Sequence, residues 1–206
     1  MGEKSFILLK KNQILKKTIK NIVVFASGSG SNAIKIHEYF QKNQAVNIEA
    51  LYSNKKSAPV IQKFQNIGIK TIVFEKNNLE DGGVLKTLLN LNPSLIILAG
   101  FLLKMPAGII NSFKNRIINI HPALLPSYGG KGMYGINIHR SVVENHELFS
   151  GLTIHYVNKD YDTGAIIFQK KVELSKNESA ETLSKKILKL EHFHYPRIIE
   201  KLLEDE

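Results

Sequence analysis

The chain has 206 residues, of which 43% are hydrophobic and 22% charged, with a formal net charge of +10 and no cysteine. Those proportions suit a soluble globular protein with one well-buried core. The lack of cysteine excludes disulfide frameworks, thiolate chemistry and Cys-ligated metals, and fits a reducing cytoplasm.

Half of the net charge lies in residues 1–20, which carry six Lys and one Glu. The apolar run there, residues 6–9, is shorter than the roughly 7–15 residues of a signal-peptide core, so the segment reads as an appended basic arm. A single domain is expected over 21–206. Within it no apolar run approaches the roughly 18 residues of a membrane span. The remaining charge shows no dense basic stripe with interleaved aromatics, so its field suits anionic small molecules better than nucleic acid.

Residues 21–26 (NIVVFA) read as a buried strand, followed by SGSGSN and a helix over 31–42. A second strand over 47–53 leads to a helix over 57–66, which Ser57 can cap and Gly68 ends. Next come a strand over 70–74, a helix over 83–91, the apolar strand 94–99 (SLIILA), a short helix over 106–113 and a fifth strand over 115–120. Residues 122–137 hold two Pro and four Gly without periodicity, and loops of that size in compact domains are usually functional. A short helix over 139–145 precedes two strands, 150–157 and 165–173, joined by NKDYDTG, and a long helix over 179–203 closes the chain. Alternating strands and helices predict an α/β fold with an open, mostly parallel sheet flanked by helices. The last two strands are expected as an antiparallel pair.

Three constellations could carry chemistry. SGSGSN lies between a strand and a helix, where glycines admit close backbone approach and free N–H groups attract a phosphate. Gly28, Gly30 and Ala33 also satisfy a dinucleotide fingerprint, but the second strand ends in LYSNKK and offers no carboxylate for ribose hydroxyls, which disfavours NAD and leaves a weaker NADP option. In NIHPALLPSY, strand alternation puts Asn119 and His121 on one side at the carboxyl end of the fifth strand, an amide donor beside a proton-transferring imidazole. Asp162 is a turn residue that could sit near His121, favour the imidazolium and hold a water. Metal-binding H-E-x-x-H, G-x-S-x-G and P-loop motifs are absent.

NIVVFASGSGSN, ILAGF, NIHPALLPSY, DTG and EHFHYP occur in the order and spacing found in the phosphoribosylglycinamide formyltransferase family. From Asn21 onward the chain resembles the small, monofunctional, folate-dependent form. The resemblance implies a Rossmann-like sheet and cytoplasmic formyl transfer from 10-formyltetrahydrofolate to glycinamide ribonucleotide in purine biosynthesis. It implies small-molecule partners alone, no metal or redox cofactor, and a monomer or homodimer. Its catalytic Asn, His and Asp fall on Asn119, His121 and Asp162. Gly30, Ser31 and Asn32 would bind the ribonucleotide phosphate, and Glu191 its ribose. Leu102, Leu103, Lys104, Met105, Pro106 and Ala107, with Asn158, Lys159, Asp160 and Tyr161, would wall the folate pocket. The expected mechanism uses a protonated His121. Formyl transfer to another amine, on a sugar nucleotide or aminoacyl-tRNA, and hydrolysis of the formyl-folate are the alternative reactions. Two departures stand out: 75–83 offers Lys76 where the family often has Arg, and the loop 128–138 is longer than in many members.

Overall fold

The computed structural model describes residues 19–42 and 45–205. Most of the expected basic arm, residues 1–18, lies outside the described residues. The chain runs β1 (Lys20–Phe25), α1 (Ser31–Phe40), β2 (Val46–Ser53), α2 (Pro59–Asn66), β3 (Thr71–Val73), α3 (Lys76–Glu80) and α4 (Gly83–Leu91). It continues through β4 (Leu95–Leu98), α5 (Ala107–Ser112), β5 (Ile117–His121), α6 (Ile136–Glu144), β6 (Phe149–Tyr156), β7 (Ile166–Glu173) and α7 (Ala180–Glu204).

The strands form one sheet in the order β3-β2-β1-β4-β5-β6-β7. The pairs among β1 to β5 are parallel, while β5–β6 and β6–β7 are antiparallel. This is the expected Rossmann-like architecture. The order reverses between β1 and β4, and open α/β sheets bind ligands at such a switch point, beyond the carboxyl ends of the strands.

Both faces of the sheet are buried. Ile22 and Val24 of β1 face a core closed by α1, α2 and α7, with Ala33, Phe64, Ile187 and Tyr195 among its buried members. Val23 and Phe25 point the other way, into a core closed by α3, α4 and α5 through Leu79, Leu88 and Ile109. Burial on both faces is why β4 is a continuous apolar run with no polar alternation. Fully burying one such Ile, Leu or Val contributes about 1.5–3 kcal/mol.

Several boundaries differ from the sequence reading. Ser57 does not cap α2: Ala58 takes that position and Pro59 opens the helix, where its fixed φ fits the first turn. Residues 76–80 form the additional helix α3, held by a reciprocal cap in which Glu75 N–H donates to Asn78 Oδ1 at 3.1 Å. The helix expected from 139 begins at Ile136, so the glycine-rich loop ends at Gly135. Ser179, placed inside the expected helix 179–203, is instead the cap of α7, its hydroxyl accepting from Thr182 N–H at 3.2 Å. No described helix is long and apolar enough to cross a membrane.

Candidate active site

A cavity of about 570 Å³ opens at the switch point. Asn119, His121 and Asp162 line it, with Asn32 and Glu191. The loop after β4 contributes Leu102, Leu103, Lys104 and Met105, and the turn after β6 contributes Asn158, Asp160 and Tyr161. Among the other expected wall residues, Pro106 is the N-cap of α5 and Ala107 its first residue. Neither these two nor Lys159, Gly30 or Ser31 belongs to the cavity lining among the described residues. Lys104 forms an exposed ion pair with Asp160 at 3.6 Å across the mouth.

The glycine turn is pinned from several sides. Gly30 adopts φ 70°, and a Cβ there would lie 2.1 Å from Val60 Cγ2, so this left-handed position beside α2 requires glycine. Val60 N–H donates to the Gly28 carbonyl at 3.3 Å, and Lys63 Nζ donates to the Ser29 carbonyl at 2.8 Å. Ser27 Oγ donates to Asn54 Oδ1 at 2.6 Å and accepts from Leu102 N–H at 3.2 Å, which joins the loops after β1, β2 and β4. Asn32, in the first turn of α1, donates its amide to Glu191 Oε2 at 2.7 Å, while its Oδ1 is buried without a hydrogen-bond partner. Glu191 lies on the buried stripe of α7 between Ile187 and Tyr195, and burial pushes its carboxyl up to about 7 against the lowering effect of the Asn32 contact. Tyr195 fixes that stretch of α7 by donating its hydroxyl to the Leu98 carbonyl at 3.0 Å.

His121 is 4% exposed at the end of β5. Its Nε2 lies 2.8 Å from the Tyr128 carbonyl, which can only accept, so Nε2 carries a hydrogen. Nδ1 therefore faces Asp162, 3.6 Å from Oδ2. Burial lowers the His121 pKa, and the opposing pull of Asp162 and the Tyr128 contact does not restore it. That direction favours a neutral imidazole in the free site, where the sequence reading expected a protonated His121, because removing the cation from water outweighs one carboxylate outside hydrogen-bond contact. His139, buried beside it, is lowered to about 4, first by burial and then by His121.

Asp162 has φ 55°, a left-handed conformation that Asp tolerates better than most residues. Its Oδ2 accepts the Gly130 N–H at 2.9 Å, so the glycine-rich loop holds the carboxylate. Burial works to raise the Asp162 pKa, but His155, the Gly130 N–H and the charge of His121 together leave it below the ordinary value. The group stays ionised beside the imidazole.

Sequence reasoning missed three contributors. His155 on β6 pairs across the ladder with Asn119, and its Nε2 lies 3.2 Å from the Asn119 amide nitrogen. Its signal was an alternating polar pair, Thr153 and His155, in the apolar second half of the strand. The loop residues Gly130, Lys131, Met133 and Tyr134 also line the cavity, and Lys63 reaches the glycine turn. The only hint of the first was loop length, and nothing local marked the second. Among the described residues no group of three or more His, Asp and Glu is arranged to hold a metal.

A sequence profile described as formyl transferase matches residues 20–199. The chain is 38% identical over 194 residues to the chloroplastic phosphoribosylglycinamide formyltransferase of Arabidopsis thaliana, covering 90% of this chain and 66% of that one, so it spans just under two thirds of that plant relative. The phosphoribosylglycinamide formyltransferase of Bacillus subtilis is 33% identical over 191 residues, with 90% of this chain and 95% of that protein covered. Among solved structures, phosphoribosylglycinamide formyltransferase from Anaplasma phagocytophilum superposes with a TM-score of 0.82 at 31% identity, over 91% of this chain and 89% of that one. The enzyme of the same name from Bacillus halodurans gives 0.81 at 29% identity, over 89% and 95%. The profile match starts in β1 and ends within α7, taking in the whole sheet and every wall of the cavity, and on that extent the chain belongs to the formyl transferase family.

Proposed function

We propose that this protein transfers the formyl group of 10-formyltetrahydrofolate to the amine of glycinamide ribonucleotide in purine biosynthesis, in the cytoplasm. The observation that carries the reading is the approach of His121 and Asp162, 41 positions apart in sequence, to 3.6 Å in a cavity that also exposes Asn119. In this reading Gly30, Ser31 and Asn32 take the substrate phosphate and Glu191 the ribose hydroxyls. Leu102, Leu103, Lys104 and Met105 face the folate, with Asn158, Asp160 and Tyr161 opposite.

The uncharged amine attacks the formyl carbon, forming a C–N bond as the carbonyl oxygen gains negative charge. An Asn119 N–H donates to that oxygen, and one such donor is worth ~3–4 kcal/mol of barrier. Neutral His121 accepts the proton released by the amine at Nδ1. The resulting imidazolium pairs with Asp162, whose retained charge offsets the burial that otherwise disfavours the cation. The bond between N10 and the formyl carbon then breaks, and the same proton passes to N10. Holding both substrates in line supplies much of the remaining acceleration.

The test is release of tetrahydrofolate from 10-formyltetrahydrofolate with and without glycinamide ribonucleotide. Release that requires the ribonucleotide, with formylated ribonucleotide as product, is expected. Release indifferent to it would replace this reading with hydrolysis.

A further inference from the structure

His155 is 2% exposed and takes no part in the proton transfers above. Its Nδ1 lies 2.8 Å from the Tyr156 carbonyl, so Nδ1 carries the hydrogen. That carbonyl is held in place by close backbone packing, since a Cβ on Gly164 would lie 1.7 Å from it. In the neutral ring Nε2 is therefore a bare lone pair that faces the Asn119 side-chain nitrogen at 3.2 Å, while Asp162 Oδ1, at 3.6 Å from Nε2, lies outside hydrogen-bond range. An amide nitrogen can only donate, so this contact exists with the NH₂ of Asn119 turned to the ring and is lost with Oδ1 there. The two ends of an amide are nearly the same size, and only neighbours of the right polarity choose between them. Asp162 Oδ1, at 3.5 Å from the same nitrogen, is an acceptor at the edge of hydrogen-bond range and a weaker restraint.

We infer that His155 is a positioning residue for formyl transfer: as the Nδ1–H tautomer it accepts one N–H of Asn119 and orients the amide so that the other N–H meets the carbonyl oxygen of the formyl donor. The inference rests on the role given to Asn119 under the proposed function. The antiparallel register that sets Asn119 opposite His155 supplies the geometry. The Tyr156 carbonyl supplies the tautomer.

Two measurements test it. In the unsubstituted protein, long-range ¹H–¹⁵N correlation of labelled histidines should show His155 protonated at Nδ1 and bare at Nε2, and an Nε2–H tautomer overturns the inference whatever the variants do. Steady-state kinetics then compare H155F, H155Q, N119A and the double variant H155F/N119A. H155F should lower kcat by roughly 10- to 100-fold with KM for both substrates within about threefold, the size expected for a misoriented group. H155Q, whose side-chain oxygen reaches the place of Nε2, should recover most of that rate. In the N119A background H155F should cost less than about twofold, because its action runs through the amide. An equal loss in both backgrounds refutes the positioning role alone. An N119A enzyme as fast as the parent refutes the assignment of Asn119, and with it the reading on which the inference stands.

Discussion

Glu191 gives a quantitative test of how the cavity floor is built. Glu191 is 6% exposed, and burial carries its carboxyl from 4.5 to about 7 despite the Asn32 contact. At about 1.4 kcal/mol per pH unit, that displacement corresponds to about 3 kcal/mol. The folded state binds this proton more tightly than the unfolded chain does. The contribution to stability is therefore fully present below pH 4.5 and lost as pH rises through about 7. Glu191→Gln removes the titration while keeping an oxygen that can accept from Asn32. Urea unfolding of both proteins between pH 4.5 and 8 should give a stability difference near zero at the acid end. It should grow to about 3 kcal/mol in favour of the variant at the basic end. All other titrating groups are common to the two proteins and cancel. A difference that stays constant over this range, or that turns against the variant as pH rises, would refute the argument.

The neutral imidazole at 121 predicts that kcat/KM rises with pH along an acid limb whose midpoint lies below the ordinary histidine value of 6.5, because burial dominates there. His121→Ala should lose this limb together with roughly 10²–10⁴ of the rate, and a profile that falls between pH 5 and 7 would exclude a neutral base. Gly30→Ala must hold φ 70° and displace Val60, and should cost about 1–3 kcal/mol by urea unfolding. Gly28→Ala, with open space around its Cβ and no positive φ, should cost far less, and equal losses at the two sites would refute the packing account. Thr153 donates to the Ala123 carbonyl at 2.7 Å and accepts from Leu125 N–H at 3.0 Å in a buried position. Thr153→Val should therefore lose about 1–3 kcal/mol through stranded polar groups, measured by the same unfolding assay.

The site was only partly visible in the chain. Asn119 and His121 could be placed together because a strand repeats every two residues, and both do line the cavity. Asp162 looked like ordinary turn chemistry, and its approach to His121 depends on the Gly130 N–H from a loop 32 positions away. Glu191 was expected only through the family resemblance; the structure sets it in the buried row Leu183, Ile187, Tyr195, Ile199 of α7, with Asn32, 159 positions distant, as its partner. His155 escaped notice because its importance comes from register. It faces Asn119 only while β6 runs antiparallel to β5 with Ile120 opposite Ile154.

By itself the sequence determined the kinds and order of the elements other than the short helix α3, and the glycine-bearing turn after β1. Local dihedral preferences and the periods of strand and helix write those features into neighbouring residues. Only the tertiary structure decided that β1 lies between β2 and β4, which strands align at which residue, and how far apart the polar side chains in the cavity come to rest. A hydrophobic pattern states that a face must leave water without naming the surface that covers it. Strand order, register and side-chain distance are settled when whole faces pack together.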